Sequence, residues 1–137
     1  MTTSDWAFIE ELGGEVAAQT LMRSFYDRLF EDVMIGFFFV NSDKEALIRS
    51  QIEYVHANIG GRQGSYEGPS IRKAHRELPI LSGHFDRRHQ ILKEVLDDFE
   101  VPDTVRDAWI SLDLAMRPMV LRQGKEVRGE GSNNCRN

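Results

Sequence analysis

Three polar side chains, His75, Gln51 and Tyr26, stand on helical stripes whose other members are apolar. An imidazole can bind a metal or carry a proton, while an amide and a phenol can both donate hydrogen bonds to a small ligand. His75 belongs to the stretch Ile71-Arg72-Lys73-Ala74-His75-Arg76-Glu77-Leu78, which follows Gly68-Pro69 and stops at Pro79. That stretch predicts a very short helix with Ile71, His75 and Leu78 on one inward stripe. A buried neutral histidine needs a partner, either a metal ion such as iron or a backbone carbonyl.

Gln51 interrupts the apolar face of a helix predicted from Ser42 to about Ile59, whose stripe reads Leu47, Ile48, Gln51, Ile52, Val55 and Ile59. Ser42 and Glu45 have the spacing of a capping box, and Gly60-Gly61 supplies the stop. A buried amide without a partner costs about 1–3 kcal/mol, so an acceptor or donor is expected nearby. Tyr26 is the candidate, on an earlier helix predicted from about Glu15 to Phe30.

The remaining chain supplies helices and almost no strand signal. Trp6, Phe8, Ile9 and Leu12 predict a short first helix ending at Gly13-Gly14, and Ala18, Met22, Phe25, Tyr26 and Leu29 mark the next. Phe37-Phe38-Phe39, bounded by Gly36 and by Asn41-Ser42-Asp43, reads as a turn of helix and a corner. Gly60 to Gly68 forms a glycine-rich loop carrying Tyr66. Phe85, His89, Leu92, Leu96 and Phe99 predict another helix, which His84 caps or buttresses. A last helix starts at Val101-Pro102-Asp103 with Val105, Ala108, Trp109, Leu112, Met116 and Met119 buried, and Pro118 should kink its end.

With 137 residues, 41% hydrophobic and 28% charged, the chain reads as one domain over residues 1–123, with a polar tail over 124–137 that cannot form a core. No run reaches the length of a membrane span, and no signal or transit peptide is indicated, so the cytoplasm is expected. The net charge of −5 argues against nucleic acid, although Arg72, Lys73, Arg76, Arg87 and Arg88 make a local basic cluster able to meet a carboxylate. The single cysteine, Cys135, excludes an internal disulfide, and no Cys-x-x-Cys-His is present for covalent haem attachment.

A helical domain with a histidine on a short helix, faced by a tyrosine and a glutamine on two longer ones, resembles the truncated haemoglobins. The order and spacing of Gly13-Gly14, Phe25-Tyr26, Phe38-Phe39, Gly60-Gly61, Tyr66-Glu67-Gly68, His75 and His84-Phe85 are most similar to group I of that family. The resemblance runs from about Phe8 to Leu121. It implies an all-α, globin-like two-over-two helical sandwich around haem b (iron protoporphyrin IX).

Carried over by that resemblance, His75 matches the proximal iron ligand and Tyr26 the distal tyrosine, with Leu47 and Gln51 at the distal-helix positions facing ligand. Phe38 or, preferably, Phe39 takes the place of the phenylalanine that packs on the porphyrin. Ile71, Leu78, Ile80, Phe85 and Tyr66 are expected at the haem, and Arg72 is expected to meet a propionate. The chain departs from the family at Arg88, where group I members usually carry a small apolar residue. Arg88 must either snorkel to a propionate or reshape that side of the pocket. Val55 stands where some relatives have a tunnel-gating phenylalanine, and Ser50 where some have a coordinating histidine. His89, on the face of Phe85, is the rival to His75, and His56 should point away.

Iron with one axial imidazole leaves a position for dioxygen, nitric oxide or carbon monoxide. Tyr26 and Gln51 could hold dioxygen there, and the resemblance implies conversion of nitric oxide to nitrate with an unidentified reductase. Ligand storage or sensing, peroxidase-like activity and a helical interaction domain that has lost haem are the alternatives. A monomer or weak dimer is expected.

Overall fold

A computed structural model describes residues 7–59 and 71–121, the side chains of Ala7, Phe8 and Ile71 excepted. Regular structure among the described residues is entirely helical: α1 (Ala7–Glu11), α2 (Glu15–Glu31), α3 (Lys44–Ile59), α4 (Ile71–His75), α5 (Ser82–Asp98), α6 (Asp103–Ala115) and α7 (Arg117–Val120), with a 3₁₀ turn at Gly36–Phe39. The expected glycine-rich loop with Tyr66, the domain boundary after residue 123 and the polar tail lie outside the described residues.

Helix α2 carries the apolar repeat into the centre, where Leu21, Met22, Phe25 and Leu29 are at most 2% exposed. It packs on α3 and on α5, and these two pack in turn on α6, giving two helix pairs laid one over the other. Trp109 on α6 and Leu92, Val95 and Leu96 on α5 complete the main core. A smaller cluster of Phe85, Met116 and Val120, with Tyr54 and Ile80 against it, lies toward α4 and α7.

Two turns show why the chain bends where it does. Gly13 and Gly14 adopt φ of 103° and 104°, a region that side chains with a Cβ rarely enter, and so let α1 fold back on α2. At Gly36 a Cβ would stand 2.7 Å from the Phe30 carbonyl oxygen, so only glycine allows the corner to approach the end of α2. Asp32 secures the same corner: its carboxylate accepts the backbone N–H groups of Met34 and Ile35 and a two-pronged contact from Arg87 on α5. The Arg87 bond, followed by those from the two backbone groups, holds the Asp32 carboxyl below its ordinary value despite the opposing effect of burial.

Several boundaries differ from expectation. Helix α3 starts at Lys44, and its cap is Asp43, which accepts the Ala46 N–H at 3.2 Å. Ser42 and Glu45 form no capping box: Glu45 accepts both guanidinium nitrogens of Arg23, at 2.6 and 2.7 Å. Helix α4 is shorter than predicted, ending at His75, after which the Leu78 N–H turns back to the His75 carbonyl. Pro79 disfavours helical backbone at Leu78, which accounts for the early end. Ala108 and Phe99 are exposed rather than buried. The break expected near Pro118 is present: α6 stops at Ala115, and Pro118 sits in the first turn of α7.

Candidate functional site

A cavity of about 270 Å³ opens where α2, α3, α4, α5 and the 3₁₀ corner meet. It brings together His75 from α4, Tyr26 from α2 and Gln51 from α3, the three polar side chains singled out by type and spacing. Leu47, Phe38, Phe39, Leu78, Ile80, Phe85 and Arg88 line it as well. Arg72 is exposed on α4 and does not line it, while Tyr66 and the Ile71 side chain lie outside the described residues.

The corner supplies the aromatic wall. Phe39 stacks on Phe30 with centroids 5.1 Å apart and meets the Tyr26 ring edge-on at 6.5 Å. Phe38 meets His84 edge-on at 5.0 Å. His84 caps α5 as expected, its Nδ1 accepting the Leu81 N–H at 3.0 Å, and it also lines the cavity. His89 is not a competitor for the cavity, because it stacks on Phe85 and turns Nδ1 to Asp113 at 2.7 Å. His56 does not line the cavity either.

The larger surprise is around Arg88. Its Nη1 donates to Asp113 Oδ1 at 2.5 Å, the arginine side chain is 19% exposed and the aspartate 0%. The Arg88 guanidinium lies 5.2 Å from the centre of the Phe25 ring; burial pushes it down, while the Asp113 charge and then the Tyr26 oxygen hold it above its ordinary value. Two roles were expected for Arg88, reaching outward to a propionate and reshaping the pocket; the side chain lines the cavity and is bonded inward to Asp113. Tyr26 and Gln51, expected to meet, line the same cavity. Burial pushes the Asp113 carboxyl up, but the Arg88 charge and the hydrogen bonds from His89 and Arg88 outweigh it and hold it below the ordinary value.

Sequence reasoning missed Asp113, Tyr54, Ser42 and Met116. A signal existed for the first, since Asp113 lies four residues after Trp109 and three before Met116 on the stripe of α6. Tyr54 lies three residues beyond Gln51 and seven beyond Leu47, so the face of α3 toward the cavity is rotated from the stripe expected, taking in Ser50 and Tyr54 while Val55 goes to the core. Burial, with a smaller effect from the Asp113 charge, pushes the Tyr54 phenol up.

Comparison with known proteins agrees with this architecture. The bacterial-like globin family matches residues 7–120. A group 1 truncated hemoglobin from Tetrahymena pyriformis is 29% identical over 96 residues, covering 70% of this chain and 78% of the relative. The group 1 truncated hemoglobin GlbN of Synechocystis sp. is 32% identical over 98 residues, covering 69% and 78%. Among solved structures, the Fe(III) form of the Tetrahymena pyriformis truncated hemoglobin superposes with a TM-score of 0.73 at 25% identity, covering 84% of this chain and 97% of that one. The 2/2 hemoglobin of Synechococcus sp., in its cyanomet state with covalently attached heme, gives 0.74 at 26% identity, covering 83% and 97%.

The residues in the cavity fit haem. The His75 imidazole is a donor that could hold haem iron, the His84 imidazole being turned to the Leu81 N–H, and the aromatic and aliphatic side chains that make up much of the wall suit a porphyrin face. Helix layering, cavity chemistry and sequence likeness converge: the chain belongs to the bacterial-like globin family, as a group 1 truncated haemoglobin whose cofactor is haem b.

Proposed function

We propose that this globin holds dioxygen tightly and uses it to convert nitric oxide to nitrate, with Tyr26 and Gln51 as the catalytic hydrogen-bond donors and His75 as the iron ligand. The observation that carries this reading is that Tyr26 and Gln51 line the same cavity as His75. Haem b held through His75 supplies a position for a small diatomic ligand, open equally to dioxygen, nitric oxide and carbon monoxide. The phenol of Tyr26 and the amide of Gln51 donate toward the negative end of that ligand, each bond contributing about 1–2 kcal/mol in a water-poor site. Together they slow dissociation by roughly one to three orders of magnitude. Slow release suits consumption of the ligand better than its delivery.

One nitric oxide and one dioxygen, with one electron from a reductase, balance to one nitrate. Phe38, Phe39, Leu47, Leu78, Ile80 and Phe85 form the apolar seat that excludes water from the site. Arg72, exposed three residues before His75 on α4, is assigned to a haem propionate. Among the described residues no helix is long and apolar enough to cross a membrane. In this reading the protein works in the cytoplasm as a monomer or weak dimer.

The test is nitric oxide consumption under continuous reduction, with nitrate as the measured product, alongside the dioxygen off-rate of Tyr26→Phe. Sustained turnover and a faster off-rate in the variant are expected. Ligand binding without turnover would make the protein a store or sensor, and an unchanged off-rate would remove Tyr26 from the role.

A further inference from the structure

Arg88 is held on three sides. Its Nη1 is bonded to Asp113 Oδ1, the face of Phe25 lies 5.2 Å from its guanidinium carbon, and it shares the cavity wall with Tyr26, whose oxygen is among the groups that favour its charge. Asp113 is itself immobilised, because its second oxygen is taken by His89 Nδ1 at 2.7 Å and its side chain is 0% exposed. The guanidinium is thereby fixed between α2, α5 and α6 at the edge of the cavity, which both Arg88 and Tyr26 line.

A guanidinium has five N–H donors and no lone pair. Where the guanidinium faces the Tyr26 oxygen, that oxygen can therefore only accept, and the phenolic hydrogen points elsewhere. A hydroxyl that accepts from a cation also becomes a stronger donor through its own hydrogen, since hydrogen bonds in a chain polarise one another. A neutral apolar residue at position 88 could do neither.

We propose that Arg88, anchored by Asp113, is a positioning residue that orients the Tyr26 hydroxyl as a donor toward the ligand in the haem pocket. Its influence on ligand release runs through Tyr26, not through contact with the ligand. The inference rests on the reading of Tyr26 as a ligand donor given above.

The test uses the haem-loaded ferrous protein and two observables, the dioxygen dissociation rate and the C–O stretching frequency of the carbon monoxide complex. Removing Arg88 alone would leave the buried Asp113 carboxylate with only His89 beside it, so the variant is Arg88→Met with Asp113→Leu, which removes the pair together. It is compared with Tyr26→Phe and with the triple variant. The paired variant is expected to release dioxygen about tenfold faster, equivalent to about 1.4 kcal/mol, and to raise the C–O frequency. In the Tyr26→Phe background the same pair of changes is expected to add nothing to either observable.

Two results would overturn the proposal while leaving the role of Tyr26 intact. One is an unchanged off-rate in the paired variant when Tyr26→Phe accelerates release. The other is multiplication of the two effects in the triple variant, which would mean that Arg88 touches the ligand directly. If Tyr26→Phe alone changes neither observable, the underlying reading of the pocket falls, and the inference falls with it.

Discussion

The two sides of the cavity are built differently. Tyr26 rises from a 17-residue helix whose inner face belongs to the main core, and the Arg88–Asp113 pair of α5 and α6 packs against the neighbouring Phe25 of that helix. His75 ends a five-residue helix that packs against α7, beside a small cluster formed by Phe85, Met116 and Val120. Position is therefore set by the protein core on the Tyr26 side. On the His75 side α4 packs on α7, and haem bound through His75 should stabilise α4 in turn. In the role proposed for Tyr26, a donor positioned by the core suits a site that discriminates by hydrogen bonding.

The largest effect that would sharpen this contrast is expected from His75→Ala. Loss or altered ligation of the Soret band, with the helical circular dichroism signal retained, would show that the iron ligand contributes little to the main core. A collapse of helicity along with the Soret band would break the contrast, making α4 as much a part of the core as α2.

Asp113→Ala tests the other side. It leaves the Arg88 charge mostly buried without its partner, at an expected cost of about 3–5 kcal/mol in urea unfolding of the haem-loaded protein. Most of that loss should return when Arg88→Met is added, because two apolar side chains can replace a buried pair with little penalty. A cost below about 1 kcal/mol would mean that the pair contributes little to that side.

The smallest expected effect is in the response to acid. The folded-state value of Asp113 lies below its unfolded value of about 3.9, so the unfolded chain binds the proton more readily. Its contribution is thus fully present above that unfolded value and is lost as pH falls from there through the folded one. The Arg88→Met/Asp113→Leu protein should lose stability less steeply over that interval than the parent. Identical acid profiles would show that Asp113 gains nothing from its partners.

Most of the helices were legible because apolar periodicity is a local property. Phe25 and Leu29, like Leu92 and Leu96, lie four residues apart, and each pair is buried with its helix. The start of α3 was misassigned because Ser42 and Asp43 can both accept an N–H of the first turn, and sequence does not say which oxygen wins. His75, Tyr26 and Gln51 were legible as polar exceptions on apolar stripes, and the structure brings all three to one cavity. The pairing of Arg88 with Asp113 was not, since 25 residues separate them and only the packing of α5 on α6 makes them neighbours. An acid on an apolar helical face implies some cation, but which one depends on tertiary structure.

Between α6 and α7 a single residue, Met116, leaves the helical pattern, and its own side chain is 5% exposed against Phe85. That residue sets the rotational phase of α7. One additional residue there would turn the helix by about 100° and swing Val120 off the cavity wall. The length of the chain at this joint is consequently as much a determinant of the haem pocket as the identity of any side chain that lines it.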